Sequence, residues 1–134
     1  MTETLITAES PADVATTVRT VQALLERRGV TLFATIDHAA GARAAGMELA
    51  DETLLVLGNP RAGTPLMQQD PRVGIELPLR LLVWDDGGTT RIGYADPVDL
   101  AQGFALDGAG TTLQRMRELL AGVVAEATSR PAAG

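Results

Sequence analysis

The sequence predicts an α+β fold: a single, mostly antiparallel sheet packed by helices, in the rough order β-α-β-β-β-β-α with short extra helices. Three stretches carry that prediction. Val14, Val18, Val21 and Leu25 recur at helical spacing, and Leu113, Met116, Leu120, Val123 and Ala127 do so near the other end. Between them, Leu79, Leu81 and Val83 alternate up to Asp85-Asp86-Gly87-Gly88, and Thr90, Ile92 and Tyr94 alternate beyond it. Two period-two runs joined by a glycine turn make an antiparallel hairpin. Helices set apart from a run of strands argue for α+β rather than an alternating α/β chain.

Taken in order, Thr4–Ala8 reads as a short first strand whose large apolar residues are Leu5 and Ile6. Ser10-Pro11-Ala12-Asp13 then offers a helix start: a capping serine, a proline at the first position and an acid near the positive dipole end. Arg27 and Arg28 in the last turn and Gly29 after it close that helix. Val30–Asp37 alternates as a strand, with Val30, Leu32, Ala34 and Ile36 on one face. It leads into Asp37-His38 and an alanine-rich stretch to Gly46, a short weak helix. Thr53–Leu57 is a continuous apolar run and so a central strand.

The stretch Leu54–Arg80 organises the rest. Its apolar strand stops at Gly58-Asn59-Pro60, and Thr64 followed by Pro65 reads as the cap and first position of the next helix. Asp70-Pro71 ends that helix. Val73, Ile75, Leu77, Leu79, Leu81 and Val83 then keep a period of two, which predicts one long strand with a bulge or an edge position at Pro78. Asp96-Pro97-Val98-Asp99 starts a short helix broken by Gly108 and Gly110, and Thr111-Thr112-Leu113-Gln114 matches a capping box for the last helix. The organisation is one domain over 1–128 and a flexible tail over 129–134.

Composition narrows the chemistry. A chain of 134 residues with 46% hydrophobic content can bury its own core. A net charge of −6 disfavours nucleic acid as a partner. There is no cysteine, and all 11 basic residues are arginine, which removes thiolate, Schiff-base and phosphate-loop-lysine chemistry. Serine occurs only at Ser10 and Ser129, so a serine triad is excluded in practice. Met1-Thr2-Glu3-Thr4 lacks a signal peptide's basic start and apolar core, and nothing approaches a membrane-spanning run. A cytoplasmic protein with no membrane partner is the expectation.

Several stretches together resemble the domain of unknown function 302 family. They are Ile36-Asp37-His38 with Ala40 and Gly46, the run from Leu57 to Met67, Leu77-Pro78-Leu79-Arg80 leading to Val83-Trp84, and Tyr94 with Asp96-Pro97. Ala95 stands where the family pattern has asparagine. The resemblance covers Leu5 to Leu106 and implies a compact α+β domain that forms a dimer. It implies no activity, the family being named for having none assigned.

The candidate site residues come from three places. Gly58–Gly63 has the G-x-x-x-x-G spacing of a phosphate loop before a helix start, where N–H groups and Arg61 would hold an anion. Thr64 and Pro65 stand where the Walker lysine and hydroxyl belong, so a nucleoside-triphosphatase is excluded. His38, the one histidine, follows Asp37 and is the candidate general acid or base. Glu76 and Arg80 share a strand face by parity, either as an exposed ion pair or with Arg80 turned into a cleft beside His38, Asn59 and Tyr94. The ligand-binding candidates are therefore Asp37, His38, Asn59, Arg61, Gly63, Thr64, Arg80 and Tyr94. No metal set has usable spacing, and no cofactor is indicated. The first reading is a non-catalytic module that binds a small anionic ligand as a homodimer. The alternatives are an enzyme using His38 beside an anion at Arg61 and Thr64, and a purely structural oligomerisation protein.

Overall fold

Strands Ile6–Ser10 (β1), Thr31–Asp37 (β2), Glu52–Gly58 (β3), Leu79–Asp86 (β4) and Thr89–Tyr94 (β5) pair antiparallel in the spatial order β1-β5-β4-β3-β2. The computed structural model describes residues 4–129. Its helices are Val14–Arg27 (α1), His38–Ala44 (α2), Pro60–Gln69 (α3), Leu100–Gly103 (α4) and Gly110–Thr128 (α5), with 3-10 turns at Pro71–Ile75 and Pro97–Asp99. Register places Leu55 beside Leu81, Leu57 beside Leu79 and Val83 beside Ile92. That face meets Val21, Leu25, Leu113, Leu120 and Val123 of α1 and α5 in one buried cluster. Truncating such a leucine to alanine costs about 2–5 kcal/mol. The opposite face carries Leu54, Val56, Leu82 and Trp84, all partly exposed.

The two long helices and the hairpin stand where their periodicity puts them. Gly29 follows α1 at φ +69°, the left-handed position that favours glycine after a helix. Gly87 and Gly88, at φ +61° and +103°, make the hairpin turn, and the Asp85 carboxylate accepts from the Gly88 N–H at 2.7 Å.

Other boundaries differ from the sequence reading, each for a local reason. β1 runs to Ser10, whose hydroxyl pairs with Thr17 Oγ1 at 2.6 Å, so Asp13 caps α1 instead, accepting from the Thr16 N–H at 2.8 Å. In β2 the register shifts between Leu32 and Ala34. Past that irregularity Thr35 lies opposite Leu55 and Ile36 opposite Leu54, so Leu32 and Ile36 do not share a face. The long strand expected from Val73 is absent. Asp70 caps a 3-10 turn over Pro71–Ile75, the Leu77–Pro78 peptide is cis, and β4 begins only at Leu79. α5 begins at Gly110 with no side-chain cap, so the capping box does not form. Of the expected tail, Ser129 is the last described residue, and 130–134 lie outside the described residues.

Candidate functional site

The helix expected to be capped by Thr64 is capped five residues earlier, by Asn59. β3 ends at Gly58, and Asn59 turns the chain with Oδ1 accepting from the Arg61 N–H at 2.9 Å, while Pro60 takes the first helical position. Thr64 and Pro65 are therefore inside α3. The Asn59 carbonyl accepts from the Ala62 and Gly63 N–H groups at 2.9 and 3.1 Å. Pro60 has no N–H, so every donor of this first turn is already engaged. Gly58–Gly63 is a strand end and a helical turn, without the open amides of a phosphate loop. The positive charge in this region is carried by side chains.

Those side chains lie on an open cleft of about 720 Å³ between the end of β3, α3 and the first half of α5. Asn59, Arg61, Gly63 and Thr64, four of the sequence candidates, line it, together with Arg28, Thr112 and Arg115. Among the described residues, three arginines and no carboxylate line this cleft, in a chain of net charge −6. Arg28 is partly neutralised, its guanidinium lying 3.1 Å from Glu126. It also rests over Gly122, where an added Cβ would come within 3.1 Å of Arg28 Nη1. Arg61 and Arg115 have no ion pair among the described residues. The floor is apolar: Leu79 and Met116 are buried there, and Leu77, Pro78 and Leu119 are partly buried.

The remaining candidates lie elsewhere. Asp37 ends β2 opposite Thr53, and its carboxylate caps α2 by accepting from the Ala40 N–H at 2.9 Å. His38 is the exposed first residue of that helix. Gly58 lies opposite Thr31, at the other end of the same strand pair, so the length of β3, roughly 20 Å, separates His38 from Asn59. An acid–base His38 working beside Arg61 is not what this geometry builds. Arg80 and Tyr94 line a second, smaller hollow of about 180 Å³, which neither His38 nor Asn59 reaches. Arg80 is held by Glu76 at 3.0 Å in an exposed pair, which contributes little. Burial, then the nearby Asp96 carboxylate, pushes the Tyr94 hydroxyl pKa up. The Arg117 guanidinium bonded to Asp96 holds that carboxyl below the usual range.

Arg28, Thr112 and Arg115 are the polar cleft residues that sequence reading missed. Arg28 reads as a helix-end charge, and no local spacing links it or Arg115 to Arg61. Only the contact of α1 with α5 brings Arg28 and Arg115 to one cleft. Among the described residues, no three His, Asp or Glu side chains gather closely enough to hold a metal ion.

A family model for the domain of unknown function DUF302 matches residues 6–127. The chain belongs to the DUF302 family. A crystal structure of an uncharacterized conserved DUF302 protein from Bacillus stearothermophilus superposes with a TM-score of 0.83, covering 92% of this chain and 97% of that one. At 18% identity that likeness speaks for the fold alone. Two curated relatives are named fluoride-specific ion channel FluC 1, from Brucella suis biovar 1 and Brucella abortus biovar 1. Each is 42% identical over 103 residues, 76% of this chain, and the match covers 41% and 38% of their respective lengths. The chain thus spans about two-fifths of these relatives. Among the described residues, no helix is long and apolar enough to cross a membrane.

Proposed function

We propose that this DUF302 protein is a non-catalytic module that binds a small anionic ligand in the cleft between α3 and α5, acting as a homodimer in the cytoplasm. One observation carries the reading: Arg28, Arg61 and Arg115 line one concave surface that no carboxylate among the described residues lines, against the sign of the whole chain. The Arg61 and Arg115 guanidinium groups, without an ion pair among the described residues, favour a carboxylate or phosphate, which such groups bind through paired N–H···O bonds. That a segment like this chain also forms part of longer proteins supports a module rather than a self-sufficient enzyme. The partly exposed Leu54, Val56, Leu82 and Trp84, on the sheet face away from α1 and α5, supply an apolar surface for a second copy.

Thermal unfolding against nucleotides, sugar phosphates and carboxylates tests the reading. A ligand at 100 times its dissociation constant adds about 2.7 kcal/mol, a midpoint shift of several degrees. Arg61 is exposed and without an ion pair among the described residues, so Arg61→Ala should abolish the shift and leave the ligand-free midpoint nearly unchanged. An undiminished shift in Arg61→Ala overturns the site.

A further inference from the structure

We propose further that the anion is the head of an amphiphile: a single carboxylate on an extended apolar body, of the kind a medium-chain acyl carboxylate presents. This rests on the anion site above and names its ligand class. The cleft divides by chemistry. Arg61 and Arg115 are exposed at its mouth, while Leu79 and Met116 are buried in its floor. Leu77 and Leu119 continue the apolar wall, and Phe33 and Met67 flank it with 48% and 38% of their surfaces exposed.

A compact anion such as phosphate would satisfy the arginines and leave that wall wet. An apolar molecule without a charge would cover the wall and leave two guanidinium groups unmatched. An amphiphile does both, its head bonded to Arg61 and Arg115 and its body displacing water from the floor. A volume of about 720 Å³ lies within the range of sites that enclose whole small molecules. Arg28 is tied to Glu126 and set over Gly122, so it adds positive potential at the rim while the direct contacts fall to the other two. A head carrying one charge suits that arrangement better than a polyphosphate does.

Isothermal titration of the full chain with straight-chain carboxylates from hexanoate to decanoate, below their micellar range, tests the inference. Acetate, inorganic phosphate and decanol serve as comparators. Affinity should rise roughly fourfold per added methylene, the increment expected when each is buried. Decanol should bind more than about tenfold weaker than decanoate, since it lacks the charge that pairs with arginine. Phe33→Ala, at an exposed position that folding tolerates, should lower decanoate affinity several-fold and leave acetate unchanged. Phosphate or acetate binding as tightly as decanoate, and lost in Arg61→Ala, would overturn the amphiphile and leave the anion site standing. Decanoate and decanol binding alike, indifferent to Arg61→Ala, would overturn both. No binding by any of these compounds would overturn the amphiphile, and the thermal panel of nucleotides and sugar phosphates then decides the anion site by itself.

Discussion

The same three-residue pattern occurs twice in this chain, as Asn59-Pro60-Arg61 and as Asp70-Pro71-Arg72. Backbone geometry is nearly shared: the capping residues have φ and ψ of −132° and 118° at Asn59 and −145° and 103° at Asp70. Each side chain accepts from the N–H two residues on, at 2.9 and 3.0 Å respectively. The difference is one functional group. The Asp70 carboxylate takes Arg72 as well, through Nε at 2.9 Å and Nη2 at 2.8 Å, and accepts the Ala105 N–H at 3.0 Å. A carboxamide caps as well as a carboxylate but cannot neutralise an arginine. So Arg72 is consumed by its own cap, and Arg61 is left to face the cleft. The Asp70 start is architecture, and the Asn59 start presents a charge.

The largest effect should follow from removing the architectural cap. Asp70→Ala deletes the helix cap and the Arg72 pair, and strands the Ala105 N–H that ties the segment before α5 to the turn after α3. Its unfolding midpoint should fall by roughly 5 °C or more, against a smaller fall for Asn59→Ala, which loses only a cap. Equal falls in a thermal scan would mean that the extra partners of Asp70 contribute nothing.

Acid should separate the two starts as well. The Arg72 guanidinium, then the Ala105 N–H, holds the Asp70 carboxyl far below the usual carboxylate range. Its folded pKa therefore lies below its unfolded value of about 3.9, and the unfolded chain binds the proton more readily. The stabilisation is complete above that value and is lost as the pH falls towards the folded one. In denaturant titrations between roughly pH 2 and 5, Asp70→Asn should flatten the acid limb of the stability curve. An Asn59→Ala protein should keep the wild-type slope, since Asn59 does not titrate.

What the sequence discloses, and what it hides, follows from range. Val14 to Leu25, Leu113 to Ala127 and the Asp85–Gly88 hairpin are legible because each pattern repeats within its own element. The β2 irregularity at Leu32 and Ala34 is not, because alternation in sequence cannot register one residue dropped from a ladder. Val73, Ile75 and Leu77 mimic a strand while occupying a 3-10 turn and the approach to Pro78, since only Val73 is fully buried. At α3 two cap-and-proline pairs compete, Asn59-Pro60 and Thr64-Pro65. The earlier one starts the helix because Asn59 directly follows β3, and Pro65 then merely withholds one N–H from the Arg61 carbonyl. Part of the cleft is legible, as Asn59, Arg61, Gly63 and Thr64 fall within one short stretch of sequence. Arg28 and Arg115 are not, because nothing but tertiary contact relates them.

The smallest change in stability should bring the sharpest change in binding. Asn59→Asp rewrites the Asn59 start as a copy of the Asp70 start. The new carboxylate keeps the bond from the Arg61 N–H and sits at the positive end of α3, so stability should move by no more than about 0.5 kcal/mol. It also gives Arg61 the bidentate partner that Arg72 already has. Anion affinity in the cleft should then drop at least about tenfold, close to the loss in Arg61→Ala, because a charge-assisted pair must be broken before a ligand can take its place. Titrating both variants with the same anion decides it. Wild-type affinity in Asn59→Asp would mean that Arg61 does not fold back onto its cap as Arg72 does, and that the cleft owes its charge to Arg28 and Arg115 instead.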